Sequence, residues 1–367
     1  MISELNCLLF IVSAIAAGPE HGPKEVAKLP KNEIIVTATL DVPIERKRTM
    51  VYCASLQDAW KSLSKELSAD SIQMDEASPL ALQLNKGIAL PTPTVPRAAL
   101  MVRIMSSQKS VGQTSRELAA RFGENAPRLE KMPGDHEAVL YTHAYLRPTF
   151  SEPFFTYKHT VFAQWPELYF VQSLTVPSVN EHARKRERIM PLIHIFEYDP
   201  PNLKVVAIQT AQPGEMLVLA QVPAVKTLQE AVDFVQAKIK NPPRNYNTEF
   251  EELDNLTFPK IHLQTRQEYV ELCDRLLQAS KDGFDRLAYA IQDIDFQLDS
   301  EGLLWRYRPS RIAVKGGRSR SRPYRRPISF DQPFVIFLTC DGAAPYFVAW
   351  IGDFTTLVPG KRLVVKG

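Results

Sequence analysis

The sequence predicts an α+β domain in which helices surround mixed, mainly antiparallel sheets. Residues 189–196, 203–208 and 215–222 are short β-type apolar segments separated by Pro200-Pro201 and Pro213-Gly214, a spacing that suits antiparallel neighbours rather than βαβ units. Stretches of helical period, residues 53–67 and 227–239, stand apart between segments of that kind. No internal repeat recurs at a fixed period and no linker after Pro30 divides two cores, so a single domain over residues 33–367 is expected.

A chain of 367 residues with 45% apolar content can furnish a sizeable core. The net charge of +3 hides an asymmetry. Arg306, Arg308, Arg311, Lys315, Arg318, Arg320, Arg322, Arg325 and Arg326 leave a remainder of 35 basic against 41 acidic groups, about −6. This describes a mildly acidic body with one basic segment, not a uniformly basic coat for nucleic acid.

Residues 7–17 form an apolar run of signal-peptide length, with Ala14-Ile15-Ala16 fitting the cleavage pattern, although Glu4 precedes it and no Lys or Arg does. Residues 1–17 are therefore expected to be a signal peptide, with export to the medium or cell envelope; if they are not, the chain stays in the cytoplasm. The run is too short to span a bilayer, and no later run approaches that length. Residues 18–32, with Pro19, Gly22, Pro23 and Pro30, read as a tether. Beyond the leader, Cys53, Cys273 and Cys340 are odd in number and widely spaced among apolar neighbours, which reads as buried thiols rather than a disulfide framework or zinc signature.

Residues 32–42 carry a β-branched alternation stopped by Pro43. Cys53, Leu56, Trp60, Leu63 and Leu67 fall on one helical face, leaving Asp58, Lys61 and Lys65 facing away. Pro91, Pro93 and Pro96 break regular structure, so residues 84–96 are expected to cross the surface in extended form. Thr114 and Glu117 read as a capping box for a short helix that Gly123 ends. Residues 138–146 alternate again and place Tyr141, His143 and Tyr145 on one side; with no matched carboxylate, this is an amphipathic strand face. The run Arg184-Lys185-Arg186-Glu187-Arg188 reads as a solvated loop between strands. Thr227 with Glu230 caps a helix through Leu228, Val232, Val235 and Ile239, and Thr265 with Glu268 repeats the device for a helix carrying Tyr269, Leu272, Cys273 and Leu276.

The chain lacks the glycine patterns of phosphate loops, a G-x-S-x-G elbow and an H-E-x-x-H pair, and its seven histidines are scattered. Asp293, Asp295, Asp299 and Glu301 fail as a calcium loop because Leu298 stands where glycine is required. Ile294, Phe296 and Leu298 instead alternate with Asp293, Asp295 and Gln297, the pattern of a half-buried strand. The expectation is a protein without catalytic residues, cofactor or metal.

The segment after Gly302 has no acidic residue within it, so its nine cations are expected to lie largely in water. With Trp305, Tyr307 and Tyr324 interleaved, it offers Arg318, Arg320, Arg322, Arg325 and Arg326 to a polyanion or nucleic acid by anion contacts and stacking. The bland alternative is a solvated surface loop, and a protein partner at the same place is a third.

Five matches in order resemble the serpin family. Tyr145, Pro153 and Phe154 match the strand motif Y-F-K-G-x-W-x-x-P-F, with Phe150 where the tryptophan belongs. Residues 205–208 with 214–219 and Val222-Pro223 are similar to paired strands preceding a helix, and Phe258-Pro259-Lys260 resembles the P-K-F strand. Residues 296–302, ending Ser300-Glu301-Gly302, resemble the strand ending in E-E-G that launches the reactive-centre loop; residues 330–334 and Pro345-Tyr346-Phe347 resemble the closing F-x-x-x-P-F and P-L-F strands. The region from Leu67 to Asp135 is short for the family's full helical complement. The resemblance implies a reactive-loop position at Glu301, Gly302, Leu303, Leu304 and Trp305.

In inhibitory serpins the residues after E-E-G are small, because the hinge enters the central sheet after cleavage. Here Leu303, Leu304, Trp305, Arg306, Tyr307 and Arg308 follow, then Pro309. Burying either alternate set of these side chains is costly, so the expectation is a non-inhibitory serpin-like protein with a binding or structural role. A serine protease inhibitor with an atypical hinge is the alternative.

Overall fold

Alternation between two packed faces, not between core and water, governs most strands of this chain. In the computed structural model, residues 33–76, 78–89, 95–162, 169–177, 179–243, 247–277, 284–300 and 325–359 are described. Residues from Glu33 onward form one compact unit.

The first half runs β1 (Ile35–Thr37), β2 (Met50–Cys53), α1 (Ser55–Glu66), α2 (Pro79–Ile88), β3 (Leu100–Met105), α3 (Gln108–Phe122), β4 (Glu137–Leu146), β5 (Phe155–Phe162), β6 (Tyr169–Thr175) and α4 (Val179–Ile189). The second half runs β7 (Ile193–Asp199), β8 (Leu203–Gln209), β9 (Glu215–Gln221), α5 (Leu228–Lys240), β10 (Asn255–Pro259), β11 (Ile261–Glu268), β12 (Arg275–Leu276), β13 (Arg286–Leu298), β14 (Pro327–Ser329), β15 (Phe334–Cys340) and β16 (Phe347–Ile351).

Among the described residues these strands form three sheets. A seven-stranded sheet has the order β1-β2-β16-β15-β9-β8-β7, and a four-stranded sheet the order β14-β10-β6-β5. The central sheet has the order β11-β13-β4-β3, with β12 also on β13. In the seven-stranded sheet, Val206, Ile208, Leu217 and Leu219 enter one core while Val205, Ala207, Val218 and Ala220 enter another under α5. That is why these strands read as unbroken apolar runs.

The central sheet is covered on both faces. On one, α1 buries Trp60 and Leu63 against Leu140 and Ala290; the Trp60 indole N–H donates to Asn85 Oδ1 of α2 at 2.9 Å. On the other, α3 brings Leu118 and Phe122 against Val139, Tyr141 and Ile291. β11 and β3 run antiparallel to their neighbours, whereas β13 and β4 pair in parallel from Arg286↔Glu137 to Phe296↔Leu146.

Several expectations are corrected. Thr265 and Glu268 cap no helix: β11 runs through both, because Ile261 and Leu263 bury while His262 and Gln264 stay exposed, and β13 supplies eight residues of pairing. The Tyr269–Leu276 stretch is a short 3-10 turn and then β12. Residues 84–88 are not extended but end α2, which Ser78 caps and Pro79 opens. The helix α3 starts at a Ser107–Ser110 capping box, and Thr114 lies inside it with its hydroxyl on the Ser110 carbonyl at 2.9 Å; Gly123, at φ +58°, ends it as expected. The first strand is shorter than the alternation suggests, three residues. Cys53 is buried, while Cys273 and Cys340 are half-buried.

Candidate functional site

The segment expected at the reactive-loop position lies between the end of β13 and the start of β14. Glu301, Gly302, Leu303, Leu304 and Trp305, together with Arg318, Arg320 and Arg322, fall outside the described residues; the two flanks do not. At the departing flank, Asp299 accepts from Arg147 Nη2 at 2.6 Å, tying the exit of β13 to the exit of β4.

The returning flank is anchored by the cations themselves. Arg325 pairs with Glu251. Arg326 donates from Nε to Asp254 Oδ1 at 2.9 Å and from its terminal nitrogens to the Asn247 and Glu249 carbonyls at 3.0 and 2.6 Å. Asp254 has no solvent exposure, and the Arg326 side chain retains 11%. Its other carboxylate oxygen accepts the Glu251 amide at 2.7 Å, so residues 251–254 form a closed turn.

A second arginine reaches this turn from behind. Arg186 sits on α4, 2% exposed, and donates to the carbonyls of Pro177 at 2.9 Å, Glu252 at 2.7 Å, and Asp254. The run 184–188 is thus helix, not solvated loop, with one of its cations among the most deeply buried large side chains. Carbonyl oxygens converging on the terminal nitrogens of a guanidinium lower the cost of burying it. Arg326 is held in the same way, whereas Arg325 pairs with Glu251 while 60% of its side chain stays exposed. Acid partners absent from residues 303–330 come from the turn some 70 residues upstream, which spacing within the segment does not reveal.

Beneath the departing flank lies the β13–β4 seam. Asp293 stands opposite His143, and Asp295 opposite Tyr145. Tyr141 donates its hydroxyl to Asp293 Oδ2 at 2.7 Å, while on the opposite face Gln292 Nε2 donates to the Cys53 carbonyl at 3.1 Å and Ser55 Oγ at 2.7 Å. The acids expected to edge a half-buried strand are buried, Asp293 at 6% and Asp295 at 2% exposure, because α3 and the segment after it cover this face. Tyr141 does have a matched carboxylate, 152 residues away. Burial raises the carboxyl pKa of both acids above the ordinary range, against the opposing pull of hydrogen bonds and nearby cations.

Among the described residues, no cluster of three or more His, Cys, Asp or Glu side chains could hold a metal ion, and no helix is long and apolar enough to cross a membrane.

No protein-family model matches the chain, and no curated protein matches its sequence. Solved structures do match its fold. Uncleaved ovalbumin superposes with a TM-score of 0.50 at 10% identity, covering 84% of this chain and 94% of that one. A Manduca sexta serine protease inhibitor, Serpin-12, superposes at 0.55, again with 10% identity and coverage of 84% and 94%. Three sheets in this order, helices on both faces of the central one and coverage of most of both chains together assign the serpin-like fold to this protein.

Proposed function

We propose that this chain is a non-enzymatic serpin-like protein that does not inhibit proteases by loop insertion and has a binding or structural role. The β13–β4 seam carries the reading. A strand turning back from the end of β13 runs antiparallel to it, and β11 already holds one edge in that sense. Between β13 and its parallel partner β4, such a strand is antiparallel to both. Entry there separates the ladder and the buried Tyr141–Asp293 bond. It then sets Arg306 and Arg308, or Trp305 and Tyr307, against a packed face, with Pro309 withholding a ladder donor. Incubation with trypsin-like and other serine proteases tests this: no SDS-stable complex and no large gain in melting temperature after loop cleavage are expected, and either one overturns the reading.

Arg318, Arg320, Arg322, Arg325 and Arg326, in a stretch without an acid, support a second reading as a polyanion contact. It requires salt-sensitive retention on heparin or DNA that alanine at all five positions together abolishes; salt-independent behaviour sinks it. Export rests on residues 7–17, outside the described residues, and N-terminal sequencing of the mature protein tests it.

A further inference from the structure

On the α3 side of the central sheet, beneath the departing flank, a cleft of about 280 Å³ is lined by His143, Gln264, Arg266, Asp293 and Asp295 among others. Its volume is just below that of drug-sized sites, which begin at roughly 300 Å³, and suits a smaller ligand. His143 is 2% exposed, yet neither ring nitrogen has a hydrogen-bond partner among the described residues. Phe122 fixes the ring edge-on at 4.6 Å between centroids. A buried polar side chain without a partner is costly, and here it forms part of a cleft wall.

The neighbours are short of donors. Asp293 Oδ2 takes the Tyr141 hydroxyl, but Oδ1 lies 3.7 Å from Arg266 Nε, beyond hydrogen-bond reach, while Arg266 Nη1 is spent on the Arg128 carbonyl at 3.0 Å. Asp295 Oδ1 takes Gln297 Nε2 at 3.1 Å and lies 3.7 Å from His262 Nε2. Burial, with Arg121 nearby, lowers the His143 pKa to about 4, so the ring is neutral at pH 7 and keeps one lone pair. The cleft wall therefore places two carboxylates with acceptor capacity to spare beside an unpartnered imidazole. The three do not converge as a metal-ligand set. A group bearing several N–H donors and a positive charge matches them.

We propose that this cleft binds a small organic cation through an ammonium or guanidinium group that donates to Asp293, Asp295 and His143.

Calorimetric titration of the full chain with agmatine tests the proposal, with neutral butylurea as the control. Saturable binding of agmatine but not butylurea is expected, weakened about tenfold or more by Asp293→Asn with Asp295→Asn, the loss of charge-assisted hydrogen bonds. Gln264→Trp, at the exposed lip, is expected to block entry without touching a buried group. A melting curve for each variant reports its folding. A capped arginine dipeptide forms the second arm: tighter binding than agmatine assigns the cation to a partner's side chain, weaker binding to a free metabolite. No saturable heat up to about 10 mM of either probe, equal binding of butylurea, or undiminished affinity in the folded Gln264→Trp variant overturns the proposal.

Discussion

The hydroxyl of Tyr141 and the carboxylate of Asp293 are joined by a 2.7 Å hydrogen bond across the parallel strands β4 and β13, out of water. Tyr141→Phe leaves a buried carboxylate oxygen without its donor. A loss of about 1–3 kcal/mol in urea unfolding is expected. A change below a few tenths would mean that the bond does not hold the seam.

His143→Leu has the opposite sign. Removing an unpartnered buried imidazole should stabilise the protein by about 1 kcal/mol at pH 7 while abolishing agmatine binding. Its pH dependence differs too. The folded pKa of about 4 lies below the usual 6.5, so the native state binds fewer protons and wild-type stability falls as pH drops from 6.5 to 4. The facing acids Asp293 and Asp295 titrate in both proteins, and Arg121 and Arg266 are present in both, so the difference between the two urea-midpoint profiles isolates His143.

Asp58, in the first turn of α1, is half-buried and pushed up to about 6, chiefly by burial. Its folded pKa exceeds the unfolded 3.8, so its charge destabilises the fold increasingly as pH rises from about 4 to 6. Asp58→Asn should therefore gain on the order of 1 kcal/mol at pH 7.5, after discounting for solvent screening and the lost helix-dipole contact, and gain nothing near pH 3. A gain that persists at pH 3 would point to another cause.

Arg326→Ala removes the partner of the fully buried Asp254, and about 3–5 kcal/mol of stability should go with it. The double change with Asp254→Ala should recover part of that loss. Strict additivity in the cycle would show that the pair does not act as a unit.

Gly352 approaches two backbone carbonyls: a Cβ there would lie 2.3 Å from the Arg48 oxygen and 2.6 Å from that of Arg46. Gly352→Ala must displace the strap before β2, and a loss of about 1–3 kcal/mol is expected by thermal unfolding. An unchanged melting temperature would show that the strap moves freely.

Where local pattern and tertiary demand agree, the elements are legible from residues alone. The Thr227 cap, the apolar face of α1 and the runs of β7 to β9 needed no distant partner to be read. The errors share one cause, a partner remote in sequence. Thr265 and Glu268 satisfy a capping pattern, but the long strand β13 offers a ladder that the pattern does not contain. Arg186 and Arg326 look solvated until the turn 251–254 folds against them. The acids of β13 alternate as if facing water because the helix that covers them is α3, far back in the chain. The alternation of residues 138–146 shows His143 as a ring on a strand face, yet its burial without a partner among the described residues, which singles it out, is a property of the packed state alone.

The parallel seam also bears on the time course of synthesis. β4 leaves the ribosome long before β13, and the 152 residues between Tyr141 and Asp293 take on the order of 10 s to translate at typical elongation rates. Throughout that interval the inner edge of β4 has only β3 on its far side and offers unpaired backbone groups to any passing strand. Completion of the central sheet is thus a late, non-local event, and the nascent chain depends on a partner not yet made.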